Sequence, residues 1–237
     1  MIPKPYPRFS PDARMLDLLN RNPSLLLLLE HFGMDFTVGD QTVELLCSSS
    51  GVDRAAFIAI GNLYNGYFPA REDLDGIRDI SSIILCLKNS HNYYKNDKYP
   101  ELKEQLLLLH QRHQSNDIVL LEQFFQDYFQ EVLDHLAYEE EVAFPYFHSM
   151  VNTADFPSGS HYRVSDYREH HTDIETKLAD LKNLLLKHIK IEGDLELRRR
   201  FLINLYSLEA DLEIHSLIEE QILLPLVEEI EKGVSNG

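Results

Sequence analysis

Apolar residues recur at three- and four-residue intervals along nearly the whole chain, and no stretch alternates strictly between apolar and polar positions. The pattern predicts an all-α protein. Between residues 12 and 66 it breaks into short helical pieces at roughly 12–20, 23–32, 41–48 and 53–65. Asn22-Pro23, the segment GMDFTVGD and Ser48–Gly51 interrupt them. NGYFPAREDLDG, 65–76, reads as a linker. Beyond it come four longer patterns, about 77–96, 116–148, 163–190 and 195–231, with a shorter one at 100–112. TADFPSGS, 153–160, and IEGD, 191–194, form the later loops. Four long helices with mostly short connections specify a four-helix bundle over 71–237, preceded by a small helical domain over 1–70.

Two positions on the second long helix do not suit a core. In HLAYEEEVAFP, 135–145, the face carrying Phe125, Phe129, Val132, Leu136, Val142 and Ala143 also carries His135 and Glu139. Four residues apart, they stack one above the other on the buried side. The last long helix repeats the arrangement in HSLIEEQILLP, 215–225, where His215 and Glu219 share a face with Phe201, Leu205, Leu208, Leu212, Ile222 and Leu226. Both copies read His, three residues, Glu-Glu, four residues, Pro.

The repeat extends upstream. His91 precedes His135 by 44 residues, and His171 precedes His215 by the same 44. His91 lies on the face of Ile80, Ile84 and Leu87, and His171 at the edge of the face of Ile174, Leu178, Leu181 and Leu185. Each half is therefore a helix with one inward His followed by a helix with an inward His and Glu. Burying such groups alone costs several kcal/mol, whereas cations make the same burial favourable. Four imidazoles and two carboxylates with no sulfur suit iron, manganese or zinc. The two Glu are placed to bridge two metal ions.

Neighbouring residues compete for roles. His170 rivals His171, and the 44-residue spacing selects His171. Glu140 and Glu220 turn about 100° off the core face, which suits surface groups or groups that orient a His N–H. Tyr94 and Tyr138 are candidates to line the pocket or to pack. His113 fits either a hydrogen bond near the site or a solvated position, and His110 lies beside it on the same short helical segment.

Composition narrows the function classes. The 237 residues are 44% hydrophobic and 26% charged, an ordinary globular balance with length for one sizeable core. With 22 Lys+Arg against 39 Asp+Glu, the net charge of −17 disfavours nucleic acid and anionic membranes as partners. The longest apolar run is far too short for a membrane span, and MIPKPYPRF is unlike a signal peptide. Two cysteines, Cys47 and Cys86, fit a reducing cytoplasm and exclude thiolate zinc sites. No phosphate loop, nucleophile elbow or catalytic triad is present.

His91, HLAYEE with Phe144-Pro145, Glu169-His170-His171, and HSLIEE with Leu224-Pro225 resemble the hemerythrin-like HHE cation-binding domain. More closely, the chain is similar to the di-iron proteins for repair of iron centres, the RIC family. PSLLLLLEHFGMDFTVGDQTVELL, 23–46, resembles that family's small N-terminal domain, and SHNYYKNDKYPEL, 90–102, its first ligand helix. The resemblance implies two iron ions held by His91, His135, His171, His215, Glu139 and Glu219, the same six that spacing selects. It departs at one place. Where the family carries an adjacent Cys pair, this chain has Thr37-Val38, so its N-terminal domain is degenerate in that respect.

The resemblance implies a cytoplasmic non-haem di-iron protein of the nitrosative and oxidative stress response. Its expected work is iron donation to damaged iron–sulfur proteins, or binding or reduction of NO. The alternative is a hemerythrin-like O₂ or NO sensor, or an iron-binding module, without turnover. Whether the protein is an enzyme, and whether it forms a homodimer, is left open. Oxygen carriers of the hemerythrin type generally use five His, and four stand at the matched positions here.

Overall fold

The computed structural model describes residues 6–113, 115–151, 163–170 and 174–235. Among them every regular element is helical, apart from one isolated antiparallel bridge between Arg14 and Thr42. The short helices are α1 (Met15–Arg21), α2 (Leu25–His31), α3 (Val43–Ser50), α4 (Arg54–Tyr64) and α5 (Arg71–Leu74). They follow the expected segments closely, and the linker holds the one-turn α5. Then come α6 (Ser81–Tyr93), α7 (Tyr99–His113), α8 (Asn116–Tyr138), α9 (Phe144–Val151), α10 (Val164–His170), α11 (Ile174–Lys187), α12 (Leu195–Ile218) and α13 (Leu224–Ser235). Three π-helical turns, π1 (Tyr94–Lys98), π2 (Glu139–Ala143) and π3 (Glu219–Leu223), join α6 to α7, α8 to α9 and α12 to α13. No described helix is long and apolar enough to cross a membrane.

The chain forms two compact units. The first combines Met1–Ser90, Phe144–Val164 and Ile214–Gly237. Its short helices begin and end where local chemistry requires. Thr42 accepts from the Leu45 N–H at 3.3 Å to start α3, and Gly51 ends it at φ 67°, a conformation that glycine adopts without strain. Asp53 caps α4 through the Ala56 N–H at 3.0 Å, and its second oxygen accepts from the Arg78 N–H at 3.1 Å. One carboxylate thus ties α4 to the segment entering α6. Phe57 lies against Phe9 and Phe32, with ring centroids 6.0 and 5.1 Å away. Gly61 permits this packing, because a Cβ there would sit 2.6 Å from the Phe9 ring.

The second unit, His91–Ala143 with Ser165–Glu213, has a continuous apolar core supplied mainly by α7, α8, α11 and α12. Leu106, Leu121, Phe125, Leu181, Leu205 and Leu208 are all buried there, each contributing about 1.5–3 kcal/mol of burial. The segment 100–112, expected as a separate short helix, instead continues the first long helix through π1. The connection expected at IEGD spans the residues between α11 and α12 and turns at Gly193 and Asp194, with φ of 79° and 46°. The loop expected at 153–160 lies outside the described residues.

The π-helical turns also correct two assignments to the core face. Val142 is 40% exposed, and Leu226 is only half-buried while Val227 is fully buried. Each widened turn adds one residue to its helix, so the inward face moves on by one position.

Candidate metal centre

In the second unit, α8 and π2 carry the first His–Glu pair. Glu139 is fully buried and His135 is 7% exposed. Regular helical bonding up to this point, with the Glu139 N–H reaching the carbonyls of His135 and Leu136, stacks the two side chains on one face. The Glu139 carboxylate faces an imidazole through each oxygen. Oε1 is 3.1 Å from His135 Nε2, and Oε2 is 3.1 Å from Nε2 of His91, which is also fully buried. Oε1 further accepts the hydroxyl of buried Tyr167 at 2.7 Å.

The far side of His91 fixes its tautomer. Nδ1 lies 2.9 Å from Glu140 Oε1, and the same oxygen accepts from Lys95 Nζ at 2.6 Å. The hydrogen bond to His91 is the main reason the Glu140 carboxyl is held down at about 2, with the Lys95 ammonium adding to it against the cost of burial. An ionised carboxylate can only accept, so Nδ1 carries a proton, which leaves Nε2 as the nitrogen able to offer a lone pair toward Glu139. A lone pair and a carboxylate oxygen 3.1 Å apart in a dry site repel unless a proton or a cation lies between them.

The first unit holds the second pair by the same device. His215 is 4% exposed and Glu219 fully buried, with Nε2 3.4 Å from Glu219 Oε1. The Ser90 hydroxyl donates to the Leu87 carbonyl at 2.7 Å, so toward His215, 2.8 Å away, it can only accept. Nδ1 of His215 is therefore the protonated nitrogen, and Nε2 again faces the carboxylate.

These donors fit a metal. All are nitrogen or oxygen, and the two imidazoles with a resolved Nδ1 partner turn Nε2 inward. Glu139 belongs to two groups of buried ligand atoms, one including His91 and the other His135, and within each group the atoms lie within 4.8 Å of one another. His171 lies outside the described residues, so its choice over the neighbouring His170 rests on the repeat.

Of the neighbours, Glu140 does orient a His N–H, while Glu220 is exposed. Tyr94 is buried and donates to Asp211 at 2.8 Å, and Tyr138 is half-buried. His113 pairs with Asp194 at 2.8 Å, and His110 with Glu122 at 2.7 Å. Sequence reasoning missed Ser90, Lys95 and Tyr167. Ser90 adjoins His91 but serves His215, and Tyr167 resembles any core tyrosine, so neither carried a periodic signal. Thr37 is exposed and Val38 buried. Both cysteines are buried, and burial, assisted by the charge of Glu44, pushes the Cys47 thiol up to about 12.

Residues 100–227, more than half of the chain, match the hemerythrin HHE cation-binding domain. The chain belongs to that family, whose members bind metal ions, typically iron. The matched segment contains both His–Glu pairs and His171, and it begins nine residues after His91. The candidacy of His91 therefore rests on its contact with Glu139. No match to a curated protein was found.

Proposed function

We propose that this chain is a non-haem di-iron protein of the nitrosative and oxidative stress response, which returns iron to damaged iron–sulfur clusters or binds or reduces NO. The observation that carries the reading is the Glu139 carboxylate, with one oxygen 3.1 Å from His91 and the other 3.1 Å from His135. A carboxylate so placed suits a bridge between two cations. On this reading His91, His135, His171, His215, Glu139 and Glu219, the six residues that the repeat selects, would hold the two cations. Iron bound there supplies Fe(II)/Fe(III) chemistry and open positions for NO or O₂.

The chain's own residues prepare and moderate that hold. Glu140 and Ser90 keep His91 and His215 in the tautomer that offers Nε2. The Tyr167 hydroxyl draws electron density from Glu139 Oε1 and so weakens its donation. Leu136, Phe144 and Ile222, all buried beside the pairs in sequence, keep water scarce. Two carboxylates only half-neutralise two divalent cations, which suits iron that leaves as cargo. Manganese and zinc are compatible with the same donors. A cytoplasmic setting, damaged iron–sulfur proteins as clients and membership of the RIC family belong to the same proposal.

A second reading, an O₂ or NO sensor or iron-binding module without turnover, is favoured by one observation. The thiols are buried and no cysteine pair stands at Thr37-Val38, which disfavours thiol-assisted cluster handling by that segment. One anaerobic experiment separates the two. A nitrosylated iron–sulfur enzyme is mixed with reduced protein, and enzyme activity is followed alongside the iron retained on this chain. Recovery with wild type and none with His135→Ala supports repair. NO binding without recovery supports the sensor. Neither recovery nor NO binding ends both readings.

A further inference from the structure

Each of the three π-helical turns is followed by a proline at the same place. In π1 the Tyr99 N–H donates to the Tyr94 carbonyl, and Pro100 comes next. In π3 the Leu224 N–H donates to the Glu219 carbonyl, and Pro225 comes next. After π2 come Phe144 and then Pro145. In all three, proline stands six positions after the first residue of the turn.

The coincidence has a physical cause. Proline lacks an N–H, and in an α-helix its ring collides with the carbonyl four residues back. A turn widened to i→i+5 bonding carries that carbonyl aside and absorbs one extra residue. That residue amounts to about 100° of rotation for everything that follows. The effect on the buried faces is visible on two helices. Regular bonding through Glu139 holds His135 and Glu139 inward, and an unbroken register would next bring Val142 to the core. Instead Val142 is 40% exposed, while Phe144 and Phe147 are buried. Beyond π3, Val227 takes the inward position that the unbroken register would give Leu226.

We propose that Pro100, Pro145 and Pro225 are positioning residues for the cation centre. Each sets a π-helical turn that lets a ligand-bearing turn and the apolar face beyond it point inward from one helix. The inference rests on the reading of these His and Glu as cation ligands. It implies a conflict between stability and binding. A proline inside a helix opposes regular helix, so alanine there favours the metal-free fold while disturbing the seat of the ligands.

The test uses the whole 237-residue chain, metal-free, with Pro145→Ala, Pro225→Ala and Pro100→Ala, and with Pro69→Ala in the linker as a control. Thermal unfolding is measured without metal, and Co(II) is titrated while its visible absorption is followed. The expected result is a rise in Tm of about 2–4 °C or more in the helix variants. It is accompanied by a loss of Co(II) affinity on the order of 10–100-fold and an altered cobalt spectrum, with Pro69→Ala binding as wild type does. Three substitutions on three separate turns keep the test open if one variant fails to fold. Co(II) affinity within about twofold of wild type in the folded variants would overturn the inference. Stability and affinity falling together would also overturn it, by making the prolines structural. Wild type that binds no Co(II) would instead overturn the cation reading and, with it, this inference.

Discussion

Glu140→Gln isolates the hold on His91 from the hold on a metal. Glutamine keeps the size of the side chain but removes the charge that accepts from His91 Nδ1 at 2.9 Å and from Lys95 Nζ at 2.6 Å. The Glu140 carboxyl is lowered from 4.5 to about 2. At about 1.4 kcal/mol per pH unit, that corresponds to roughly 3 kcal/mol. The side chain is 32% exposed and Lys95 shares the effect, so the part belonging to His91 is about 1–2 kcal/mol after solvent screening. Loss of that term frees the imidazole to reverse its tautomer, and cation affinity should fall roughly 5–30-fold. Isothermal titration of metal-free protein with Co(II) measures it, with exposed Glu220→Gln as the control. Equal affinities for wild type and Glu140→Gln, or equal losses in both variants, would refute the reasoning that Glu140 fixes His91.

Three further outcomes are expected. Tyr167→Phe removes the hydroxyl that donates to Glu139 at 2.7 Å, so the apo protein should lose about 1–3 kcal/mol in denaturant unfolding, since a buried carboxyl oxygen loses a donor. Loss in holo protein alone would point elsewhere. Glu139→Ala should lower metal content far more than Glu220→Ala, because the first is fully buried and the second exposed, as metal analysis of purified protein would reveal. The pH dependence follows from Glu140, whose folded value lies below its unfolded one. Its stabilisation is fully present above 4.5 and is lost as pH falls from there toward about 2. The difference in unfolding free energy between wild type and Glu140→Gln should therefore shrink over that acid window, and a difference that persists unchanged to the lower end would contradict the assignment.

The sequence announced the helices and both His–Glu pairs because their signals are periodic. An imidazole and a carboxylate four residues apart on an apolar stripe are visible without coordinates, as is a spacing of 44 that recurs. The part that escaped is local backbone geometry. Pro145 and Pro225 were visible in the repeated motif, yet a fixed 3.6-residue period carried the core face onto Val142 and Leu226, where the widened turns exchange them for later residues. Pro100 was read as the start of a separate helix for the same reason. The hydrogen-bonding support escaped too. Ser90 and Tyr167 lie far along the chain from His215 and Glu139, the groups they serve, and only folding brings each to its partner. Glu140 was legible because one step along a helix from an inward Glu gives a definite direction.

The amount and pairing of the bound metal test the proposed centre most directly. The 237-residue chain prepared without oxygen should contain about two irons, and its Mössbauer spectrum after mild oxidation should show a coupled, carboxylate-bridged ferric pair. Glu139→Ala should lose that coupling. Iron bound singly in wild type, or a coupled pair undiminished in Glu139→Ala, would contradict the claim that this carboxylate joins two cations.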